Sequence, residues 1–303
     1  MLGELFAIMN AICLAIAATF YAIGVRNTDP YRANAIRATI GASFAILVAL
    51  LLNELSKQLF SNWPVLLFTI LAGLVGAGLG DILYFHALEV TEVSVVVPIK
   101  SSTPFWIALI SLSLGWDSLN MFIFLGLGTI ILGITLVTRD FGSKRPLSTT
   151  VIIKGRNQKK GMIFALVSAL VASIAVLMYN LASNYFTPFQ ANAIRLPMVG
   201  ILFFLISRTS SFTRIGHRNE ISKPSRNIML ILGAGGTLSL GIAGILLFAA
   251  LSLIGPTRTI AITSTNPVFA AIFSAILLRE SLMWQKIFGI FFVCIGLILI
   301  ALF

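Results

Sequence analysis

Apolar runs of about 20 residues follow one another along nearly the whole chain, and each is long enough to cross a hydrocarbon layer of roughly 30 Å as a helix. That recurrence fixes the solvent before anything else is known. With 58% hydrophobic and only 10% charged residues among 303, the chain has too few polar side chains to cover a water-facing surface. The runs are continuously apolar, whereas membrane strands would alternate and be about half as long, so the expectation is an all-α bundle rather than a barrel. The first run follows Met1 to Glu4 without a basic stretch and continues to about Val25, which predicts a retained helix rather than a cleaved leader.

Turn and charge punctuation predicts ten helices, at roughly 2–25, 33–53, 66–89, 93–115, 119–138, 161–185, 190–207, 228–252, 257–278 and 284–303. The net charge of +11 then reports topology. Sixteen of the 21 basic residues fall in the odd-numbered connections, and Lys57 alone falls in the even-numbered ones. The other four, Arg37, Lys100, Arg195 and Arg258, lie inside helices or at their ends. Basic connections stay cytoplasmic, so ten helices place both termini outside a cell membrane. The basic stretch from Asp140 to Lys160 reads as a linker, and Thr209 to Arg226 as a polar cytoplasmic loop. The expected organisation is a first repeat over 1–140, a linker over 141–160 and a second repeat over 161–303.

The division rests on self-similarity. Ala33-Asn34-Ala35-Ile36-Arg37 recurs unchanged as Ala191-Asn192-Ala193-Ile194-Arg195, an offset of 158 that also sets Gly3 on Gly161 and Tyr21 on Tyr179. Further on, an offset of 163 sets Phe85 on Phe248, Ser101 on Ser264, Pro104 on Pro267, Asp117 on Glu280, Gly126 on Gly289 and Gly133 on Gly296. Five helices per half is an odd number, so the second half enters the membrane from the opposite side and the repeat is inverted. Inverted repeats suit alternating access, because two equivalent halves can exchange conformations around one midplane site.

On these residues the chain resembles the drug/metabolite transporter superfamily, in its ten-helix EamA-type branch. The resemblance is carried by the Arg37 and Arg195 segments, the Gly-rich third helix, and Asn266-Pro267-Val268-Phe269 running to Leu278-Arg279-Glu280. It implies a basket in which helices 1–4 and 6–9 surround a central cavity and helices 5 and 10 are peripheral. Members often keep both termini cytoplasmic, from which the charge bias of this chain departs.

Ionisable residues at membrane depth are costly and therefore candidates for function. Asp81 and His86 lie in the third helix, and Lys100 lies in the fourth between Pro98 and Pro104, prolines that free backbone carbonyls. At 100° per residue, Tyr84 falls about 60° from Asp81, while His86 falls about 140° away, so Asp81 and His86 do not share a face. Lys100 is the expected partner of Asp81, either as a site or as a neutralising structural pair. Lys100, Thr103 and Pro104 map onto Thr263, Asn266 and Pro267, a polar stripe in both halves that leaves Lys100 as one unmatched cation. It points to a substrate with an anionic group, such as an amino or organic acid. Asn10, Tyr21, Tyr179 and Asn180 add neutral hydrogen-bonding groups. Arg37 and Arg195, each within about two turns of its helix start, are expected to snorkel to headgroups, and Arg258 reads the same way.

The glycines of helices 3 and 8 read as close-packing seams, with a hinge as the sharper alternative, and Trp63, Trp116 and Trp284 as interfacial anchors. Two cysteines, Cys13 and Cys294, within apolar runs make no disulfide framework, and no His/Cys/Glu cluster has metal-ligand spacing. With no Ser–His pair, Asp-rich diphosphate motif or Gly-rich phosphate loop, the residues an enzyme needs are missing and no cofactor is expected. The reading is a secondary transporter, outward for small organic metabolites, in the lipid bilayer as a monomer or homodimer and with protons as one possible coupling ion. The alternatives are a multidrug or organic-cation proton antiporter and a passive channel.

Overall fold

The computed structural model describes residues 2–55, 63–113, 121–138, 157–182, 185–208, 224–263, 265–280 and 282–302. Every regular element among them is helical. The first half comprises α1 (Leu2–Asn27), α2 (Pro30–Leu51), α3 (Trp63–Gly73), α4 (Asp81–Val90), α5 (Val93–Lys100), α6 (Thr103–Ser113) and α7 (Met121–Thr138). The second comprises α8 (Gln158–Ala182), α9 (Pro188–Arg208), α10 (Arg226–Gly236), α11 (Ala243–Thr263), α12 (Asn266–Leu277) and α13 (Trp284–Leu302). Among the described residues, six helical runs are long and apolar enough to span a bilayer, and shorter apolar helices lie at Gly128–Val137, Asn266–Leu277 and Trp284–Leu299.

Two irregularities occur in both halves at matching positions. Wider π-turns at Leu74–Gly80 and Thr237–Ile242 join α3 to α4 and α10 to α11, and the 163-residue offset carries Leu74 onto Thr237. The segment read as one helix over 93–115 is broken at Ser101–Ser102, and the break between α11 and α12 falls at the equivalent place before Asn266. Pro98, which cannot donate a helix hydrogen bond, precedes the first break. One expectation fails: Gly255-Pro256 does not separate two helices, because α11 runs on to Thr263.

The ends of the helices sort onto two faces. On one, Arg26 at the end of α1 donates to Leu88 O (3.3 Å), Thr91 O (3.2 Å) and Glu280 Oε1 (3.2 Å). Glu280 also accepts from the first amides of α5, Val93 N (2.9 Å) and Ser94 N (3.0 Å), where the helix dipole favours a carboxylate. Lys286 pairs with Glu92, and Asn157 N, just before α8, donates to Val90 O at 3.3 Å. On the other face Glu54, beyond α2, accepts from Thr187 Oγ1 (3.1 Å) and, through its carbonyl, from Gln190 Nε2 (3.0 Å) before and within α9. So α1 ends on the face where α8 begins, as an inverted repeat requires.

The halves interleave rather than sit side by side. α1 lies along α10 and α11, α8 along α4 and the first π-turn, α2 along α9, and α7 along α13. The last contact has no room for side chains: a Cβ on Gly133 would lie 2.6 Å from Gly289 O, and one on Gly296 would lie 2.6 Å from Gly126 O. Trp63 and Trp284 are exposed at helix starts, as interfacial anchors are, while Trp116 lies outside the described residues.

Candidate functional site

The π-turns place the polar residues. Asp81 N bonds back to Gly76 O and Gly78 O, so it bypasses the Ala77 carbonyl between them. That carbonyl instead accepts from α2, from Asn34 Nδ2 at 3.2 Å and Arg37 Nη2 at 3.5 Å. A carbonyl at the end of the first widened region and one just after the second are met by the opposite half: Ser168 Oγ donates to Gly80 O at 2.6 Å, and Asn10 Nδ2 to Ala243 O at 2.6 Å. These contacts are repeat-equivalent, since Asn10 maps onto Ser168 by 158 and Gly80 onto Ala243 by 163. π-Bulges are frequent at functional sites because they re-aim groups that an α-helix would keep paired.

Between the π-turns lies a buried charge cluster. Arg37 Nη2 donates to Asp81 Oδ2 at 2.7 Å, with the arginine side chain 4% and the aspartate side chain 20% exposed. The guanidinium carbon stands 5.3 Å from the centre of the Tyr21 ring and 5.2 Å from that of Phe85, so π-faces stabilise the part of the charge that Asp81 does not. Tyr21 donates to Gly235 O at 2.8 Å and touches Ser239 Oγ. Lys100 Nζ donates to Ser168 Oγ (2.8 Å) and Ser168 O (3.1 Å) and stands 5.9 Å from the Tyr84 ring centre. Lys100 and Arg195 both act on the charge of Asp81. Arg37 is the cation in contact with the carboxylate, and the other two act on it from a distance.

Two sequence expectations are overturned here. The ion-pair partner of Asp81 is Arg37 of α2, not Lys100, which reaches the second half through Ser168. Nor does Arg37 snorkel to headgroups. Arg37 is 3% exposed, and each arginine backs onto a glycine of the other half. A Cβ on Gly236 would lie 2.6 Å from Arg37 O, and one on Gly73 would lie 2.6 Å from Arg195 Cβ. The offset of 163 relates those glycines, so the exchange is reciprocal.

The remaining candidates divide. Tyr21 and Tyr84 belong to the cluster. Thr103 Oγ1 donates to Lys100 O at 2.9 Å and so bridges the break between α5 and α6. Thr263 and Asn266 flank the equivalent break, where Asn266 Oδ1 is buried without a hydrogen-bond partner. Asn10 ties α1 to α11 rather than joining Asp81. The side chains of Tyr179, Asn180 and Arg258 lie outside the described residues, as does Asp117. His86 faces away from Asp81, its Nδ1 lying 3.5 Å from Glu89 Oε2. Ser168 was missed by the sequence reading, although its repeat match to Asn10 was available. A shallow cleft lies to one side of the cluster, between Phe44, Val48, Asn192 and Leu240.

Ionisable side chains turned into a helical membrane bundle, at the seam of two inverted halves, define a multi-pass membrane protein of the solute-carrying class. The chain belongs to the EamA-like transporter family, which matches residues 1–139 and 159–302, one stretch for each half. It is 26% identical over its full length to an uncharacterized transporter of Archaeoglobus fulgidus, covering 99% of that protein. It is 29% identical over 181 residues to a Lactococcus lactis protein provisionally named sugar uptake protein YxfA, a match that spans 58% of this chain and 60% of the relative. A solved crystal structure superposes with a TM-score of 0.65 over 98% of this chain and 95% of its own at 17% identity, which shows the fold.

Proposed function

We propose that the protein is a secondary carrier for small organic metabolites bearing an anionic group, working by alternating access about the Arg37, Asp81 and Lys100 cluster. The observation that carries this reading is the charge balance of the buried centre: Arg37 already neutralises Asp81, and Lys100, held by Ser168, has no carboxylate partner among the described residues. A buried surplus of positive charge in a low-dielectric setting favours an incoming carboxylate or phosphate. The basic face, which gathers the ends of α1 and α4 and the starts of α5, α8 and α13, is cytoplasmic in this reading, both termini are outside, and net movement is outward. A neutral sugar is the second reading, favoured by the name of the Lactococcus relative and by the Tyr21 and Ser239 hydroxyls at the cluster.

The test is the unfolding midpoint of the purified protein against amino acids, organic acids, sugar phosphates, sugars and organic cations, since a ligand that binds only the folded state raises it. Anionic metabolites are expected to raise the midpoint, an effect lost in Lys100→Gln. The ligand found is then followed in counterflow with proteoliposomes, where saturation separates a carrier from a channel. Stabilisation by sugars or cations that survives in Lys100→Gln overturns the anion reading.

A further inference from the structure

The two halves hold the same arginine in two settings. In the second half Arg195 Nε donates to Asn192 Oδ1, one helical turn back on α9, at 3.0 Å. In the first half Arg37 Nη2 is drawn to Asp81, and the two atoms equivalent to that bonded pair, Arg37 Nε and Asn34 Oδ1, are both buried without a hydrogen-bond partner. Asn34 and Arg37 are 0% and 3% exposed. Buried polar atoms left unpaired are unfavourable, and these two are each other's partners in the conformation that the second half already adopts. The counterpart of Asp81 is Gly244, so no acid stands at that position to draw Arg195 away from Asn192.

In a carrier built from inverted repeats, the opposite access state arises when the halves exchange conformations. We propose that Arg37 is a two-position switch, bonded to Asp81 in this state and to Asn34 Oδ1 in the opposite one, and that Asp81, once released, binds a proton that couples to the transport cycle. The proposal rests on the alternating-access part of the function above and not on the substrate class. Asp81 is faced by Arg37 from α2, Lys100 from α5, Arg195 from α9, Tyr21 from α1 and Tyr84 on its own helix. Arg37 is the cation in direct contact with it; Lys100 is engaged by Ser168 and Arg195 by Asn192. When Arg37 turns to Asn34, the carboxylate keeps only more distant compensation in a low-dielectric interior, where protonation is the favoured response. The neutral acid then carries the proton until Arg37 returns and displaces it.

The experiment needs no substrate, so a wrong anion assignment leaves its result untouched. Spin labels at Asn27→Cys and Lys159→Cys, exposed positions at the end of α1 and the start of α8, report opening of the basic face in lipid nanodiscs, with Cys13 and Cys294 replaced. Two inter-label distances are expected, in a ratio that changes about tenfold per pH unit through the transition, as binding of one proton requires. Acid favours the state in which Asp81 is released. Asp81→Asn should make the ratio independent of pH. Asn34→Leu, which removes the alternative acceptor and keeps Asp81, should move the transition to lower pH by about one unit, equivalent to about 1.4 kcal/mol. A ratio that ignores pH in the wild type, or a response that survives Asp81→Asn, overturns the proposal. If Asp81→Asn does not fold, infrared difference spectra take its place: the protonated-carboxyl band of the wild type should show the same downward shift of midpoint in Asn34→Leu, and an unshifted band overturns it.

Discussion

The two halves share one backbone plan and differ in charge. Each has a glycine-lined helix that widens into a π-turn, a long helix whose arginine rests on the other half's glycine, and a fourth segment broken at an equivalent place. Yet Asp81 stands opposite Gly244, Lys100 opposite Thr263, and Asn10 opposite Ser168. Small residues and backbone carbonyls are kept alike because they set how closely the helices approach. The arginine is kept in both halves, but the acid and the ammonium group, Asp81 and Lys100, are placed in one half only; a second buried acid and ammonium at one centre would double the desolvation cost. In the proposed function, symmetry supplies the two states and the asymmetry decides what binds.

The comparison breaks most severely at its charged member. Asp81→Ala leaves the Arg37 guanidinium buried without its acid and should destabilise the protein by about 3–5 kcal/mol, read as a fall in the unfolding midpoint in detergent. Gly244→Ala, the matched change in the other half, should stay within about 1 kcal/mol, since a Cβ there meets nothing nearer than Asn192 Nδ2 at 3.7 Å. Next in size is the reciprocal glycine pair. Gly236→Ala presses a methyl group on the Arg37 backbone and should cost about 1–3 kcal/mol, more than Gly73→Ala, whose methyl meets the Arg195 side chain first. A reversed order would mean that the second half is the more rigid. The smallest effects belong to the two carbonyl contacts, Asn10→Ala losing one hydrogen bond of about 1 kcal/mol and Ser168→Ala losing two, to Gly80 O and from Lys100 Nζ. Ser168→Ala should in addition weaken binding of an anionic ligand, because it leaves Lys100 held by the residue-168 carbonyl alone, whereas Asn10→Ala should not.

Much of this was legible in one dimension. The apolar runs required helices in lipid, and the Ala33–Arg37 duplication located the second half because helices packed in equivalent surroundings keep equivalent small residues. The wheel of the third helix separated His86 from Asp81, since that question concerns one helix and its own geometry. The partner of Asp81 was not legible by the same means. It lies on α2, and no periodicity within one segment tells which of several neighbours a side chain meets. Distance from the helix start also misled for Arg37, because the room for its inward turn comes from Gly236, far along the chain. The π-turns were hidden as well: an extra residue in one turn alters no hydropathy, and the glycines at the first of them signalled only close packing.

By itself the sequence determined the solvent, the helical class, the duplication and the short set of ionisable residues that must be accommodated away from water, because each follows from local composition or from comparison of the chain with itself. Only the tertiary structure decided that Arg37 rather than Lys100 holds Asp81, that Ser168 holds Lys100, and that Arg37 Nε and Asn34 Oδ1 are left without the bond their counterparts make. Those outcomes depend on which helices touch. Contact between interleaved halves is fixed by the packing of glycines and small side chains across long chain separations, where an ångström decides whether a charged group reaches an acid or an amide.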